Sequence, residues 1–445
     1  MGSPALQGRS LHFVGIGGAG MSGLALVAQA LGARVSGSDR VESSYCGPLR
    51  AAGIQPQIGP HDAASLPAGA DVVVSSAIPA DNPELQAARA AGARVLHRGD
   101  LLGKVSRLKR TIAVGGTHGK TTTASMAALA LLECGREPAF LIGGELRAAK
   151  TNAAWGSGEW AVIEADESDR SFLKLAREVA VVTNVELDHH ATYASLGELE
   201  EAFEQFATPA GLRVLGPDLE RLAAPPCVRY GIGAGDLRAD GLELHPGGSR
   251  FSVDGVRVEL RVPGAHNVLN ALAALAACRA AGVEPAEAGP ALAAFTGAGR
   301  RFEAHGRGPG GARIYDDYAH HPTEVRATLE AARTLAPARL IACFQPHLYS
   351  RTRMLAREFG RALALADVVV VLDVYPARER AEDFPGVSGL LVARAAADAA
   401  RGRPVWWLPG HDDAELMLRS ELREGDLLVT LGAGDVDSLA KRLAT

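Results

Sequence analysis

Cysteine is sparse in this sequence and nowhere closely paired. Only five cysteines occur among 445 residues, and no two stand in a C-x-x-C arrangement. Structural zinc sites and disulfide scaffolds need closely spaced or evenly paired cysteines, so this pattern speaks against both. We therefore expect a cytoplasmic protein whose thiols pack as small apolar side chains. The cysteines are Cys46, Cys134, Cys227, Cys278 and Cys343.

An excess of positive charge is also missing. The formal net charge is −5, so no broad basic field is available for a nucleic acid or an anionic membrane. One uncharged run, Leu11–Gly32, approaches the length of a membrane span. Five glycines within Gly15–Gly23 would weaken a spanning helix, whereas a strand, a tight loop and a helix use them readily. We expect small-molecule ligands, with neither nucleic acid nor membrane as a partner.

The length exceeds what one hydrophobic core supports and predicts about three domains. β-rich runs alternate with Ala/Leu-rich helical stretches, a pattern typical of α/β architecture with largely parallel sheets. The Gly/Pro-rich stretch Gly306–Gly311 predicts a linker that acts as a hinge. The predicted domains are residues 1–108, 109–308 and 309–445.

A first glycine cluster, GIGGAG, follows a predicted strand and opens a predicted helix. Gly15, Gly17 and Gly20 fit the pattern G-x-G-x-x-G, in which backbone N–H groups face a diphosphate. Asp39 lies where a ribose-binding acid would end the second strand. The pattern alone leaves three interpretations open: a dinucleotide-dependent dehydrogenase, a site for another nucleotide, or a structural turn.

A second cluster, GGTHGKTTT, also stands between an apolar strand and a helix. Its glycines can cradle phosphate oxygens, Lys120 can approach the β- and γ-phosphates of ATP, and Thr121 can bind Mg²⁺. The loop is one residue shorter than the usual phosphate loop between its first glycine and the Gly-Lys pair. The alternative is a glycine turn beside a solvated lysine.

Carboxylates at the ends of two later strands predict a magnesium site. The apolar run Trp160–Glu164 ends in Glu164, and Val179–Thr183 leads to the segment that contains His189. Glu164 can bind Mg²⁺, and His189 can supply a nitrogen to a second metal. Acidic runs and paired histidines are also often only solvated, but they follow a phosphate loop within one block, which favours the functional interpretation.

Eight motifs spread over nearly the whole chain resemble those of the Mur ligases. HGKTTT marks only the wider superfamily, which includes folylpolyglutamate synthase, whereas the first and seventh motifs are more specific. In chain order the motifs are GIGGAGMSGLA, GGTHGKTTT, EADESDRSF, TNVELDHHATY, PGAHNVLNALAA, GAGRRFE, DDYAHHPTE and FQPHLYSRTR.

The resemblance implies a fold and an activity. It implies an N-terminal Rossmann-like UDP-binding domain, a central P-loop ATPase domain and a C-terminal Rossmann-like domain for the amino acid. The implied reaction joins L-alanine to UDP-N-acetylmuramic acid with ATP and two Mg²⁺ ions, and it reassigns the first glycine cluster from NAD to UDP. Three alternatives stay open: a recycling ligase that joins a tripeptide to the same UDP-sugar, an NAD-dependent dehydrogenase, and a nucleotide-gated binding protein.

The resemblance also implies site residues by motif position. For the UDP-sugar they are Gly15, Gly17, Gly18, Gly20, Met21, Asp39, His61, Ser75 and Ser76. For ATP they are Gly116, Thr117, His118, Gly119, Lys120, Thr121, Thr122, His266, Asn267, Asn270, Arg301 and Asp317. The implied metal ligands are Thr121, Glu164 and His189, and the implied amino-acid contacts are Tyr318, His320 and Arg351. The implied catalytic residues are Lys120, Glu164, His189, Asp317 and His320.

Two departures from the family pattern have consequences. Many relatives have arginine where this chain has Leu348, so a cationic contact to the incoming carboxylate is missing or comes from Arg351 or Arg353. Later members of the family carry a carbamylated lysine near the metals. This sequence has no lysine between Lys174 and Lys441, so we expect no such modification.

Overall fold

The computed structural model describes residues 5–190 and 192–444. Three sheets of five, ten and six strands organise this part of the chain, and helices pack against each sheet. The predicted α/β class with three largely parallel sheets is confirmed. No helix in the described residues is both long and apolar enough to cross a membrane. The outermost positions of the predicted first and third domains, 1–4 and 445, lie outside the described residues, as does position 191.

The first sheet is parallel throughout, in the order β3-β2-β1-β4-β5. The uncharged run near the N-terminus forms a strand, a tight turn and a helix, as predicted. Because β2 and β4 flank β1 on opposite sides, a crevice opens at the carboxyl end of β1. The elements are β1 Ser10–Val14, α1 Ala19–Ala30, β2 Arg34–Asp39, α2 Cys46–Ala51, β3 Gln57–Ile58, β4 Asp71–Val74, α3 Pro83–Ala90, β5 Val95–His97 and α4 Arg98–Ser106.

The second sheet contains ten strands and forms the centre of the molecule. Its elements are β6 Arg110–Gly115, α5 Lys120–Glu133, β7 Ala139–Leu146, β8 Thr151–Ala154, β9 Trp160–Glu164, β10 Val179–Val182, α6 Leu196–Ala207, β11 Leu212–Leu215, β12 Cys227–Ile232, β13 Leu237–His245, β14 Gly248–Val253, β15 Val256–Leu260, α7 Ala265–Ala280 and α8 Pro285–Ala291. The strand order is β15-β14-β13-β12-β11-β10-β6-β9-β7-β8.

Within this sheet, β10, β6 and β9 are adjacent and parallel. Their carboxyl ends therefore bring three loops to one edge, although the loops are far apart in the sequence. The helices α5 and α7 are largely buried and pack together, where they support the loop before α5. The strands β13 to β15 form an antiparallel meander.

The third sheet has the order β16-β17-β21-β18-β19-β20 and is parallel except for β16. Its central strands are fully buried between helices, which explains their continuous apolar runs. The elements are β16 Glu303–Arg307, β17 Arg313–Asp317, α9 Pro322–Thr334, β18 Leu340–Phe344, α10 Tyr349–Leu363, β19 Val368–Val371, α11 Gly389–Ala399, β20 Val405–Trp407, α12 His411–Glu421, β21 Leu427–Leu431 and α13 Asp437–Leu443.

The prediction that Gly306–Gly311 forms a linker is wrong. Its first two residues belong to β16, which pairs antiparallel with β17, and the rest form the connection of this hairpin. A Gly/Pro-rich hairpin connection and an interdomain linker have the same composition, so the sequence does not separate them. The segment lies inside the third sheet and cannot be an interdomain hinge. The expected boundary between 308 and 309 falls within this hairpin, and the domain limits stay predictions.

Candidate active site between the three domains

The glycine turn after β1 faces a cavity of about 970 Å³ that residues of all three sheet regions line. Gly15 has a φ of 79°, and Gly18 precedes α1 without a side-chain cap in the described residues. The first N–H groups of α1 are therefore available to an anion. A Cβ at Gly17 would lie 2.9 Å from Asp39 Oδ2, so a larger residue there would displace the Asp39 carboxylate. Gly17, Gly18 and Gly20 line the cavity.

The other residues predicted for the UDP-sugar lie outside the wall of this cavity. Asp39 accepts a hydrogen bond of 2.8 Å from the Gly17 N–H and so supports the turn. His61 Nδ1 lies 2.8 Å from Glu84 Oε1 in a buried network. Ser76 donates to Asp169 at 3.0 Å. The remaining members of this group are Gly15, Met21 and Ser75.

Arg98 is a cation in the wall of the cavity that the sequence did not reveal. It begins α4, and its guanidinium pairs with Asp166 at 2.6 Å and Asp169 at 3.1 Å. The guanidinium also lies beside the glycine turn, 3.3 Å from where a Cβ on Gly20 would be. Nothing in the local sequence distinguishes Arg98 from a surface arginine, because both its anionic partners come from another sheet region.

The phosphate-loop motif connects β6 to α5 through two glycines with positive φ, Gly116 at 126° and Gly119 at 81°. A Cβ on Gly116 would lie 2.0 Å from Thr183 Oγ1, and one on Gly119 would lie 2.4 Å from Asn270 Oδ1. Both positions therefore require glycine for conformation and for space. The loop adopts a compact turn in front of α5 despite being one residue shorter than the usual pattern.

Lys120 is held inside this loop. Its ammonium donates to the carbonyl oxygens of Gly116 at 2.7 Å and Thr117 at 3.1 Å, and to Glu167 Oε1 at 3.0 Å. Burial opposes protonation, but the neighbouring carboxylates, Glu167 first, raise the pKa of Lys120 above its usual value. The lysine is therefore a fixed positive charge at the start of α5.

Glu167 is a second residue that the site prediction missed. It is 1% exposed, and its Oε1 also lies 3.2 Å from His189 Nε2. Its Oε2 is buried without a hydrogen-bond partner among the described residues. The position of Glu167 three residues after Glu164, in the acidic run after β9, was the available signal. One carboxylate thus links the phosphate-loop lysine to a candidate metal ligand.

Thr121 and Glu164 are hydrogen-bonded neighbours in the wall of the larger cavity. Thr121 Oγ1 donates to Glu164 Oε1 at 3.0 Å, and Glu164 Oε2 accepts from the Gly143 N–H at 2.6 Å. Burial raises the pKa of Glu164, so a cation would stabilise its ionised form. Oxygen ligands of this kind suit Mg²⁺, so the residues present fit the ion that the sequence predicts. His189 has a φ of 53° and lines the same cavity.

A smaller cavity of about 520 Å³ lies on the other side of the phosphate loop. His266, Asn267 and Asn270 from the start of α7 line it, as does Thr122. Asn270 Nδ2 donates to Asn267 Oδ1 at 3.3 Å, which holds both amides in place. Burial lowers the pKa of His266 to about 4, so its ring is neutral at pH 7. Neutral rings and amides suit a heteroaromatic base.

The two cavities meet at Gly119 and Arg301, which line both. Arg301 comes from the third sheet region, and its guanidinium lies 3.7 Å from Glu324. Asp317 lines the smaller cavity and accepts from the N–H groups of Phe302 and Ala319, both at 2.7 Å. Burial raises the pKa of Asp317 to about 6.

Of the three residues predicted to contact the amino acid, two line the larger cavity and one does not. Tyr318 and His320 line the larger cavity. Burial lowers the pKa of His320 to about 4, so its ring is neutral at pH 7. Arg351 is 3% exposed and its guanidinium is occupied by Asp188. Leu348 is 8% exposed and has a φ of 70° at the start of α10, outside the cavity wall.

His118 lies between two carboxylates from different sheet regions. Its Nε2 is 3.3 Å from Glu186 and its Nδ1 is 3.3 Å from Glu324. Burial alone would lower the pKa of His118, but hydrogen bonds to these two carboxylates raise it to about 9. Through Glu324 the phosphate loop is tied to α9. Thr117 ties the same loop to the segment after β10, since its hydroxyl donates to the Glu186 carbonyl and accepts from the Glu186 N–H.

Three family models match consecutive parts of the chain. Residues 10–110 match the Mur ligase family catalytic domain, 114–278 the Mur ligase middle domain, and 300–434 the Mur ligase glutamate ligase domain. A UDP-N-acetylmuramate–L-alanine ligase of Streptomyces coelicolor is 48% identical, with 97% of this chain and 96% of that protein covered. Its counterpart in Rubrobacter xylanophilus is 46% identical over 97% and 99%.

Solved structures agree with these matches. The crystal structure of the UDP-N-acetylmuramate–alanine ligase of Thermotoga maritima has a TM-score of 0.84, 30% identity and 98% coverage of both chains. A murein peptide ligase of Psychrobacter arcticus has a TM-score of 0.75 and 27% identity over 98% of both chains. The order of the three matched regions and the length of the matches leave one conclusion. The chain belongs to the Mur ligase family.

Proposed function

We propose that this protein joins L-alanine to the lactyl carboxylate of UDP-N-acetylmuramic acid and converts ATP to ADP and phosphate. The observation that carries the proposal is the meeting of a diphosphate-type glycine turn and a lysine-bearing phosphate loop at one cavity. The names and high coverage of the relatives support alanine as the acceptor. A dehydrogenase would use the glycine turn but would leave Lys120, Glu164 and His189 without a role.

The sugar nucleotide would lie along the glycine turn. The N–H groups at the start of α1 carry a partial positive charge that favours its diphosphate. Arg98 lies beside the turn and offers N–H donors there, although its charge is shared with Asp166 and Asp169. From there the cavity extends to Lys120 and His189, so the lactyl carboxylate at the other end of the ligand would face the phosphate loop.

ATP would place its base in the smaller cavity and its phosphates at the loop. Asn267 and Asn270 offer amide donors and acceptors beside the base, and Arg301 stands where the two cavities join. Thr121, Glu164 and His189 would hold Mg²⁺, and two ions are proposed. The ions would neutralise charge on the phosphates and the attacking carboxylate.

The reaction proceeds in two steps. A carboxylate oxygen of the sugar nucleotide bonds to the γ-phosphorus of ATP while the bond from that phosphorus to ADP breaks, and Lys120 stabilises the charge on the transferring oxygens. The alanine amine then attacks the carbonyl carbon, and phosphate leaves. The amine loses a proton, for which His320 and Asp317 are both candidates because each is mainly unprotonated at pH 7.

Water would hydrolyse the acyl phosphate, so the third domain must cover the site before transfer. We propose that ATP and the sugar nucleotide bind first and that closure then completes the alanine site. Small-angle scattering with and without both ligands tests this order. An unchanged envelope would contradict it. The cytoplasm is the proposed location because both substrates and the free thiols belong to a reducing, nucleotide-rich compartment.

Phosphate release is the deciding measurement. With ATP, Mg²⁺ and UDP-N-acetylmuramic acid present, L-alanine should give the fastest release, ahead of glycine and serine. The tripeptide that a recycling ligase would use should give little. Reactions without the sugar nucleotide serve as the control. A preference for the tripeptide would assign the recycling reaction, and release that needs no amine would remove the ligase function.

A further inference from the structure

Two histidines and a glutamate from different domains point at one another beside the smaller cavity. His118 belongs to the phosphate loop, Glu186 follows β10, and His321 precedes α9. His118 Nε2 lies 3.3 Å and His321 Nδ1 lies 3.6 Å from the same oxygen, Glu186 Oε2. One ligand atom of each residue lies within 4.8 Å of the other two. We call these three residues the histidine cluster.

The spacing of the histidine cluster suits a tetrahedral metal ion. Zinc binds histidine nitrogen and carboxylate oxygen at about 2.0–2.2 Å, and a tetrahedron with such bonds has edges of about 3.3–3.6 Å. Two of the measured separations, 3.3 and 3.6 Å, are close to that edge. The third separation, between the ligand nitrogens of His118 and His321, is at most 4.8 Å. Two imidazoles and one carboxylate also favour zinc-class ions over Mg²⁺, which prefers oxygen.

A second carboxylate, that of Glu324, supports the same interpretation because it contacts the other ring nitrogen of His118. Glu324 Oε1 lies 3.3 Å from His118 Nδ1, the ring nitrogen that points away from Glu186. Metal-binding histidines commonly donate their other nitrogen to a carboxylate, which fixes the tautomer and the ring orientation. The Glu324 side chain is largely buried, and its carboxylate lies near the Arg301 guanidinium. Both features limit the movement of Glu324. His118 is thus oriented with Nε2 toward the cluster.

We propose that the histidine cluster binds one zinc-class divalent cation, separate from the magnesium ligands Thr121, Glu164 and His189. The ion would reach the cluster through the smaller cavity, whose wall includes His118 and Glu186. It would replace two present contacts of the cluster, a long one of 3.4 Å from the Thr323 N–H to His321 and one of 2.5 Å from Thr323 Oγ1 to Glu186. Water or a ligand in the cavity would take the fourth position.

Binding would compete with protons and join two domains. A histidine nitrogen must be unprotonated to hold the ion, so affinity falls as the pH is lowered. The occupied cluster would hold the phosphate loop against α9 and so restrict opening of the third domain. We expect Zn²⁺ to raise the unfolding temperature and to slow turnover.

Co²⁺ tests the proposal because tetrahedral Co²⁺ has strong visible absorption. The full chain is titrated with Co²⁺ while excess Mg²⁺ occupies the magnesium ligands. The wild type should bind one Co²⁺ per chain with the tetrahedral spectrum. His321→Gln should weaken binding at least about 10-fold and abolish that spectrum, and Glu324→Gln should weaken binding about 10- to 100-fold.

Two control variants separate the cluster from other histidines. His245→Gln changes a histidine of β13 that is not part of the cluster, and His189→Ala removes a proposed magnesium ligand; both should keep the Co²⁺ spectrum. Thermal melts verify that each variant folds, and Glu186→Gln replaces His321→Gln if the latter does not. Retention of the spectrum in His321→Gln and Glu186→Gln, or its loss in His189→Ala, overturns the proposal. The measurement uses no substrate, so its outcome is independent of the proposed ligation.

Discussion

Arg351 and Asp188 form a buried two-point ion pair between the third sheet region and the centre of the molecule. Arg351 Nη2 lies 2.8 and 3.0 Å from the two carboxylate oxygens of Asp188, and Nε lies 3.0 Å from one of them. Burial opposes ionisation of Asp188, but Arg351 holds its pKa well below the usual range. Because Asp188 directly precedes His189, the pair couples the position of α10 to a proposed metal ligand.

The pair makes a prediction about stability. Arg351→Met or Asp188→Asn alone should lower the free energy of unfolding by about 3–5 kcal/mol, because each leaves one buried charge without its partner. The double variant should lose less than the sum of the two, by about 1–3 kcal/mol. Urea unfolding monitored by circular dichroism measures all four proteins of this cycle.

An exposed ion pair provides the control for that cycle. Arg229 and Glu220 lie 2.6 Å apart with both side chains well exposed. Solvent screens such a pair, so Arg229→Met should change the unfolding midpoint little. Additive losses in the buried cycle would show that Arg351 and Asp188 do not stabilise each other.

Lys120→Ala should lower the rate of phosphate release by orders of magnitude while the fold survives. The variant removes the charge that stabilises the transferring phosphoryl group. Lys104→Ala, which changes an exposed lysine at the end of α4, is the matched control and should retain full activity. Near-normal turnover of the Lys120 variant would mean that the phosphate loop is misassigned.

Glu167→Gln should weaken the binding of divalent cations. Glu167 contacts both Lys120 and His189, and a carboxylate on the second nitrogen of a metal-binding histidine typically contributes 10- to 100-fold in affinity. Mn²⁺ titration followed by electron paramagnetic resonance measures this directly, without substrates. Glu201→Gln, on the exposed side of α6, is the control. Equal Mn²⁺ affinity in both variants would remove Glu167 from the metal site.

Asp317 should make stability depend on pH in the acid range. Its folded-state pKa of about 6 lies above the unfolded value of 3.8, so the folded state binds the proton more tightly. The stability that this adds is present below about pH 4 and is lost as the pH rises through 6, by at most about 3 kcal/mol. The urea midpoint of the wild type minus that of Asp317→Asn should therefore fall between pH 4 and 6 and then stay constant. A difference independent of pH would contradict the raised pKa.

Local chemistry made some features of this protein predictable. Gly116 and Gly119 adopt backbone angles that favour glycine, and Lys120 begins a helix directly after them, so this glycine turn and the helix that follows it were recognisable from consecutive residues. The alternation of apolar strands with helices likewise predicted three largely parallel sheets. The Gly306–Gly311 prediction failed because a hairpin connection and a linker share one composition.

The sequence by itself determined the loops, the elements and the types of chemical group at their ends. Only the tertiary structure decided which of those groups meet. Arg351 and Asp188 are 163 positions apart, and the partners of Arg98 come from another sheet region, so no local pattern joins them. His61, predicted for the sugar nucleotide, is turned to Glu84 for the same reason. The direction of each side chain depends on which helix or strand packs against its own. The strand order of the sheets determines which helices and strands become neighbours.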